Sequence, residues 1–194
     1  MKRPALLLAI AISCSHPARA EDSGAYLGAG LADGVLSGCT KATSACYQYS
    51  SSSHTNASLH LLGGYNFSRY AGVESSLSGL GEYDAENAYG VAVGTVKVSA
   101  LTLAARGGYK FSSGLSVFGK LGLALVRTQY SPGLAWPFAS ANNQRSTGTI
   151  LGFGCQYDFN NTFGIRVSLE TVSFSDDVFK GDITGTNLLA IFRL

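Results

Sequence analysis

The fold is decided by residues 101–125, which read LTLAARGGYKFSSGLSVFGKLGLAL. Apolar residues occupy every second position on both sides of the short polar turn at 112–114. Alternation with a period of two is typical of a β-strand that has one apolar face. Because two such runs flank a short turn that contains Ser and Gly, the stretch predicts an antiparallel β-hairpin.

The same turn signature occurs three times along the chain. In each copy, Tyr-x-Phe closes an alternating run and a short polar turn follows, at 65–67, 109–111 and 157–159. The runs before and after these turns, a first strand near 26–35 and a last strand at 188–194 predict eight strands. The first strand and the third, at 72–80, are the least regular.

Longer polar segments separate the predicted hairpins. They hold most of the Asn, Ser, Asp and Pro, as loops do, and lie at about 36–56, 81–92, 128–146 and 174–186. Short turns at one end, long loops at the other and an even number of antiparallel strands are the pattern of a closed barrel. The predicted fold class is therefore all-β, an eight-stranded antiparallel up-and-down barrel.

The first 20 residues predict a secretory signal peptide. Two basic residues precede a short apolar run at 5–12, and the segment ends in Ala-Arg-Ala at 18–20. Cleavage there leaves one barrel domain over residues 21–194. The alternative is a lipoprotein cleavage box ending at Cys14, although Ala stands where such boxes carry a larger aliphatic residue.

The composition indicates an outer surface that does not face water. Charged residues make up 13% of the chain, about half the share usual in soluble domains. With the three basic residues of the signal removed, 14 Lys and Arg fall to 11 against 12 Asp and Glu. This near-neutral balance excludes a nucleic-acid-binding role.

The apolar strand faces are predicted to point outward into lipid. The opposite faces hold many Gly, Ser and Thr residues, which suit a narrow lumen better than a solvated surface. Aromatic residues collect before every tight turn, as in the girdles of membrane barrels. A soluble periplasmic lipid-binding barrel, apolar inside, is the alternative with the same period. The predicted girdle consists of Tyr65, Phe67, Tyr109, Phe111, Tyr157, Phe159 and Phe192.

On these residues the chain resembles the small eight-stranded outer-membrane proteins of the OmpA transmembrane, OmpX and opacity-protein type. The resemblance covers nearly all of the mature chain and is carried by GGYNF at 63–67, GGYKF at 107–111, the Gly72-Val73-Glu74 strand opening and the last apolar strand. It implies a monomer in the outer membrane of a Gram-negative bacterium, surrounded by lipid and lipopolysaccharide. It also implies recognition by the barrel-assembly machinery, although the chain ends in Leu194 where the family usually has Phe.

Five charged residues lie on the predicted inward face, and counting from the nearest turns places four of them at similar heights, all except Glu170. Because isolated charges in a low-dielectric lumen are costly, we predict a mutually compensating ion-pair cluster that plugs the barrel. The alternatives are individual solvation by lumen water and a narrow pore for small solutes. The cluster consists of Glu74, Arg106, Lys120, Arg166 and Glu170.

The predicted loops contain a pair of cysteines and several aromatic residues that are candidates for roles outside the barrel. Cys39 and Cys46 lie close together in an exported chain and are predicted to form a disulfide, the alternative being two thiols that never meet. Loop aromatics are candidate contacts for a host or surface ligand, or else they pack loops together or lie near lipopolysaccharide. These candidates are Tyr47, Tyr49, Trp136 and Phe138.

The sequence offers no catalytic or metal site. The mature chain has only His54 and His60, near Ser58, without an acidic residue to orient either histidine. The histidines and cysteines lack the short paired spacings of zinc sites, and no cofactor is predicted. The predicted function is a non-enzymatic structural or adhesion-type role. A lipid A-modifying enzyme is the less favoured alternative.

Overall fold

The structure is a computed structural model that describes residues 23–40, 46–49, 58–86, 92–132, 143–175 and 179–194. These residues form nine strands. No described residue belongs to a helix with the length and apolar character needed to cross a bilayer. The strands are β1 (Gly24–Thr40), β2 (Cys46–Tyr49), β3 (Ser58–Asn66), β4 (Ala71–Glu86), β5 (Ala92–Lys110), β6 (Leu115–Pro132), β7 (Asn143–Asp158), β8 (Phe163–Ser175) and β9 (Phe179–Arg193).

All neighbouring strands are antiparallel, and the sheet closes on itself. The last strand, β9, pairs with β1 along its whole length, from Tyr26 opposite Arg193 to Thr40 opposite Phe179. The short β2 and the longer β3 lie along the same edge of β1, one beyond the other. Nine strands therefore fill eight positions around the barrel, which confirms the predicted closed eight-stranded fold.

The strands extend further from the tight turns than predicted. The first loop was expected from residue 36, yet β1 continues to Thr40; β6 runs to Pro132, well into the loop expected from 128. The same correction applies to the loops expected at 81–92 and 174–186. Polar residues can continue a strand because ladder hydrogen bonds join backbone groups, whatever the side chains. The loop-like composition therefore indicates where the apolar outward face of a strand ends, whereas the strand itself continues for several more residues.

The three tight turns share one hydrogen-bonding pattern, which explains the repeated signature. The Phe of each Tyr-x-Phe donates its backbone N–H across the turn to a carbonyl four residues later, as Phe67 does to Ala71 at 2.9 Å. Side-chain oxygens of Ser68 and Asn160 accept backbone N–H groups inside the first and third turns. The second turn instead uses Gly114 at φ 83°, a conformation that favours glycine.

Apolar side chains alternate outward, as the inverted barrel requires. Leu121 and Leu123 of β6 are 62% and 68% exposed, whereas the intervening inward residues are far less exposed. The outward apolar run at 115–125 spans about 25 Å along the barrel axis, because a strand rises about 3.3 Å per residue and tilts by about 40°. That height matches the apolar band of an outer-membrane barrel.

The lumen has two differently filled halves. The half near the tight turns holds most of the buried charged side chains, together with Tyr26, Phe118 and Leu62. The half toward the long loops holds mainly apolar side chains, with buried Ser and Thr residues such as Ser78 and Thr128 among them, although the sequence predicted small and ionic residues throughout the lumen. This apolar lumen layer consists of Leu36, Tyr83, Val98, Ala100, Ala104, Ala124, Val126, Ile150, Val172, Phe174 and Ile183.

Candidate functional site

Glu74 on β4 is the centre of the lumen charges. Its Oε1 lies 2.6 Å from Nη1 of Arg166 on β8, which stands on the opposite wall of the barrel. The same oxygen accepts a hydrogen bond of 2.6 Å from the hydroxyl of Tyr26 and lies 3.5 Å from Nε of Arg106. Lys120 approaches the other carboxylate oxygen at 3.9 Å. One carboxylate is thus surrounded by groups from four other strands.

A second ion pair extends the cluster toward the apolar lumen layer. Nζ of Lys120 lies 2.6 Å from Oε1 of Glu170, and the hydroxyl of Ser168 donates to that oxygen at 2.9 Å. Asn187 donates in turn to Ser168. The five charged residues of the predicted cluster are therefore brought together in one connected network of three cations and two carboxylates.

Three uncharged side chains that were not predicted from the sequence complete this network. The guanidinium groups of Arg106 and Arg166 lie 4.5 and 4.7 Å from the ring centroid of Phe118, so one aromatic ring makes cation–π contacts with both. The amide oxygen of Gln156 accepts from Nε and Nη2 of Arg166 at 2.9 and 2.7 Å. Tyr26 supplies the hydroxyl on Glu74. Phe118 could have been identified from the sequence, because it is an aromatic residue on an inward face whose other residues are mostly small.

Glycines on the inward faces make room for these side chains. Gly154 lies opposite Phe118 in the ladder, and a Cβ there would stand 2.9 Å from the ring. Gly152 lies between Lys120 and Glu170 on the intervening strand, and its missing side chain lets their ion pair form across β7. The inward glycines read from the sequence are thus spaces for particular neighbours.

The mouth of the barrel at the tight-turn end is open and polar. A cavity of about 340 Å³ lies there, lined by groups that include Arg69, Arg106 and Arg193. Asp158 forms ion pairs at this level with Arg193 and, at 3.9 Å, with Lys110. The cavity reaches the lower edge of the charged network at Arg106, so water has access to the network from this side.

The predicted girdle residues all lie on the outer surface near the tight turns. In each repeat the Tyr and Phe rings contact each other, with centroids 5.0 to 5.5 Å apart. Phe192 is exposed opposite Phe163 on the neighbouring strand. Two aromatic residues outside the predicted girdle extend it, because Tyr70 stacks on Tyr109 and Phe163 stacks on Phe159. The rings therefore form a band at one height.

The pairing of β1 with β2 places the backbones of the two cysteines of the predicted disulfide opposite each other. Cys39 on β1 and Cys46 on β2 are directly opposite Cα partners in two paired strands, where the sequence predicts a loop. Tyr47 and Tyr49 belong to the same short strand. Trp136 and Phe138 lie outside the described residues. Cys155 is a free thiol on the outer face of β7.

His60 lies inside the lumen. It is 1% exposed and borders a cavity of about 20 Å³ together with Ser78, Glu170 and Asn187. Neither ring nitrogen has a hydrogen-bond partner among the described residues. A space of this size suits one water molecule. Within the described ranges, no group of three His, Cys, Asp or Glu side chains is arranged to hold a metal ion.

Solved structures of known proteins share this architecture. OprG of Pseudomonas aeruginosa matches with a TM-score of 0.62 at 15% identity, covering 89% of this chain and 97% of that protein. Neisserial surface protein A matches at 0.61 and 12% (89% and 98% covered). Ail, the attachment invasion locus protein of Yersinia pestis, matches at 0.55 and 17% (89% and 99% covered). At these identities the likeness concerns the fold alone.

The sequence itself has a family match. No curated protein matches it significantly. The profile of the outer membrane protein β-barrel domain matches residues 5–192, nearly the whole chain. That family implies the outer membrane of a Gram-negative bacterium, in agreement with the outward apolar band. The chain therefore belongs to the outer membrane protein β-barrel domain family.

Proposed function

We propose that this chain is a non-conducting outer-membrane barrel with a structural or adhesion-type role, acting through its long loops. The observation that carries the proposal is the succession of two filled layers in the lumen. Near the tight turns, Glu74, Arg166 and their partners join opposite walls of the barrel. Above them the apolar lumen layer fills the interior with side chains such as Val126 and Ile150. An ion crossing this path would have to displace both layers.

The loop end is where a closed barrel can meet a partner. Strands β5 and β6 pair out to Gly94 and Pro132, beyond the outward apolar band, and so carry the loops away from the lipid. Ail, which shares the fold, is an attachment invasion locus protein and was solved in complex with a heparin analogue. Surface attachment is thus compatible with this architecture. The loop aromatics Trp136 and Phe138 are the proposed contacts.

Two measurements test this proposal. In planar lipid bilayers the purified mature protein should give no unitary conductance steps, because both layers stay closed. In a non-adherent Gram-negative host, expression of the chain should increase attachment to cultured cells, and Trp136→Ala with Phe138→Ala should reduce it. Regular conductance steps would contradict the closed lumen, and attachment equal to the empty-vector strain would contradict the adhesion role.

A narrow small-solute pore is the second candidate, and the 340 Å³ mouth cavity favours it. The cavity admits water as far as Arg106, so only the layers above that level oppose passage. The bilayer experiment separates the two functions. If the pore is correct, Glu74→Gln should change the conductance, because it alters the charge along the path through the lumen.

We also propose that the barrel is not an enzyme, and that lipid, lipopolysaccharide and the barrel-assembly machinery are partners of a monomer. The support is the enclosure of His60, which leaves its ring out of reach of a lipid substrate. Lipid A mass spectra from cells with and without the protein should be identical. Any change in acylation or phosphorylation on expression would contradict this assignment.

A further inference from the structure

Two arginines lie side by side on the outer face of the barrel. Arg127 of β6 and Arg145 of β7 are directly opposite partners in the ladder, and both are exposed. Side chains of such pairs start from Cβ atoms about 5 Å apart, and like charges at that spacing destabilise a sheet. A pair of this kind is stable where an external anion compensates it.

The protein supplies no such anion within the described part of the chain. Neither arginine has an ion pair or hydrogen bond there. The acidic residue on the outer face beyond the neighbouring strand, Glu82, is already paired at 3.0 Å with Lys97. The described side chains at this rim therefore carry an excess of positive charge.

The height of the pair identifies the kind of anion. Leu125, two residues below Arg127 on the same face, is the last residue of the outward apolar run, and two residues above stand Gln129 and its partner Asn143. Two residues along a tilted strand are about 5 Å along the barrel axis. The arginines therefore lie just outside the hydrocarbon, at the loop end, where the outer leaflet carries its headgroups.

From this geometry we infer that Arg127 and Arg145 bind the phosphate of an outer-leaflet lipid, the phosphorylated glucosamine headgroup of lipopolysaccharide. Arginine binds phosphate through a planar fork of donors, and two adjacent forks suit one doubly charged group. The acyl chains of the same lipid would lie on the leucines below, Leu123 and Leu125. The site uses the barrel wall and does not depend on the loops or on the state of the lumen.

Native mass spectrometry of the folded protein in detergent micelles tests the site with bisphosphorylated lipid A as the probe. The wild type should retain lipid A, and Arg127→Gln or Arg145→Gln should each weaken binding about fivefold, with a larger loss in the double variant. Lys180→Gln is the matched control. It removes one exposed cation from β9, where no second cation lies opposite.

A second comparison needs no variant and therefore does not depend on how the variants fold. Lipid A with the same acyl chains but without phosphates should bind the wild type no better than the double variant binds the phosphorylated lipid. Inorganic phosphate at equal concentration should leave bound lipid A in place. Equal retention of the dephosphorylated lipid, undiminished binding by the double variant, an equal loss in Lys180→Gln, or displacement by inorganic phosphate would each overturn the inference.

Discussion

Replacing Glu74 by Gln should destabilise the barrel far more than removing a carboxylate from its surface. Glu74 is approached by three cations, at 2.6 Å from Arg166, 3.5 Å from Arg106 and 3.9 Å from Lys120. In the variant Lys120 keeps Glu170, whereas buried Arg166 keeps no anionic partner and retains an amide oxygen and two aromatic rings. Breaking a buried pair on one side costs about 3–5 kcal/mol, and we expect a loss in that range.

The control is Glu82→Gln. Glu82 also forms an ion pair, at 3.0 Å with Lys97, but the two side chains are 55% and 62% exposed. Exposed pairs contribute about 0–1 kcal/mol, so this variant should unfold almost as the wild type does. The assay is equilibrium unfolding by urea or guanidinium in lipid vesicles, followed by heat-modifiable migration on a denaturing gel. Equal losses for Glu74→Gln and Glu82→Gln would refute the reasoning.

A double-mutant cycle separates the ion pair from other effects of the substitution. If Glu74 matters mainly as the partner of Arg166, the variant carrying Glu74→Gln and Arg166→Gln should lose less stability than the two single variants together. Residues in one buried network commonly show coupling of about 1–3 kcal/mol. Strict additivity would mean that the two side chains stabilise the barrel independently, against the distances observed.

Three further predictions concern the lumen spaces, the lipid face and the hairpin cysteines. Gly154→Val should cost about 1–3 kcal/mol in the same unfolding assay, because the new side chain meets the Phe118 ring. Leu121→Arg should cost about 2–4 kcal/mol, because it places a charge in the hydrocarbon. Oxidised mature protein should have an intact mass lower by two hydrogens than the reduced form, from a Cys39–Cys46 bond between opposite residues.

Each of these predictions has an internal control. Gly63→Val adds the same side chain on the outer face, where a Cβ meets only one Leu27 methyl at 3.5 Å, and should be nearly neutral. Leu121→Ala should also change little, since the residue faces lipid; a loss of several kcal/mol would indicate a packed core instead. In denaturant the oxidised protein should expose one thiol, that of Cys155; three reactive thiols would rule out the disulfide.

The sequence predicted the fold because its two strand faces differ strongly near the tight turns. Around Leu121 and Leu123 every outward residue is apolar and the inward residues are small or charged, so alternation shows both the strand and its register. The charged cluster could be predicted for a related reason. Counting residues from each turn gives the height of an inward side chain, and Arg106 and Lys120 come out level with Glu74.

The features that the sequence did not predict lie toward the long loops, where the outward and inward strand faces no longer differ in this way. Around Val126 and Ile150 the inward residues are apolar, while the outward residues include polar ones such as Arg127 and Thr149, so the small-inside, apolar-outside pattern of the lower strands does not predict the apolar lumen layer. The strand extensions are rich in polar and turn-forming residues and β2 has only four residues, so both read as loops. The contacts of Phe118 and Tyr26 depend on which residue lies opposite across the ladder. A single strand pattern does not contain that information.

The contact between Glu74 and Arg166 joins residues 92 positions apart on opposite walls, and this constrains the order of assembly. A partly formed sheet holds β4 and β8 far apart, so that Glu74 can meet the cations of β5 and β6 but not Arg166. The ion pair can form only when β9 reaches β1 and the cylinder is complete. Its formation therefore requires that the sheet has curled until its opposite walls face each other, and an open sheet would leave the Arg166 side of the network exposed until then.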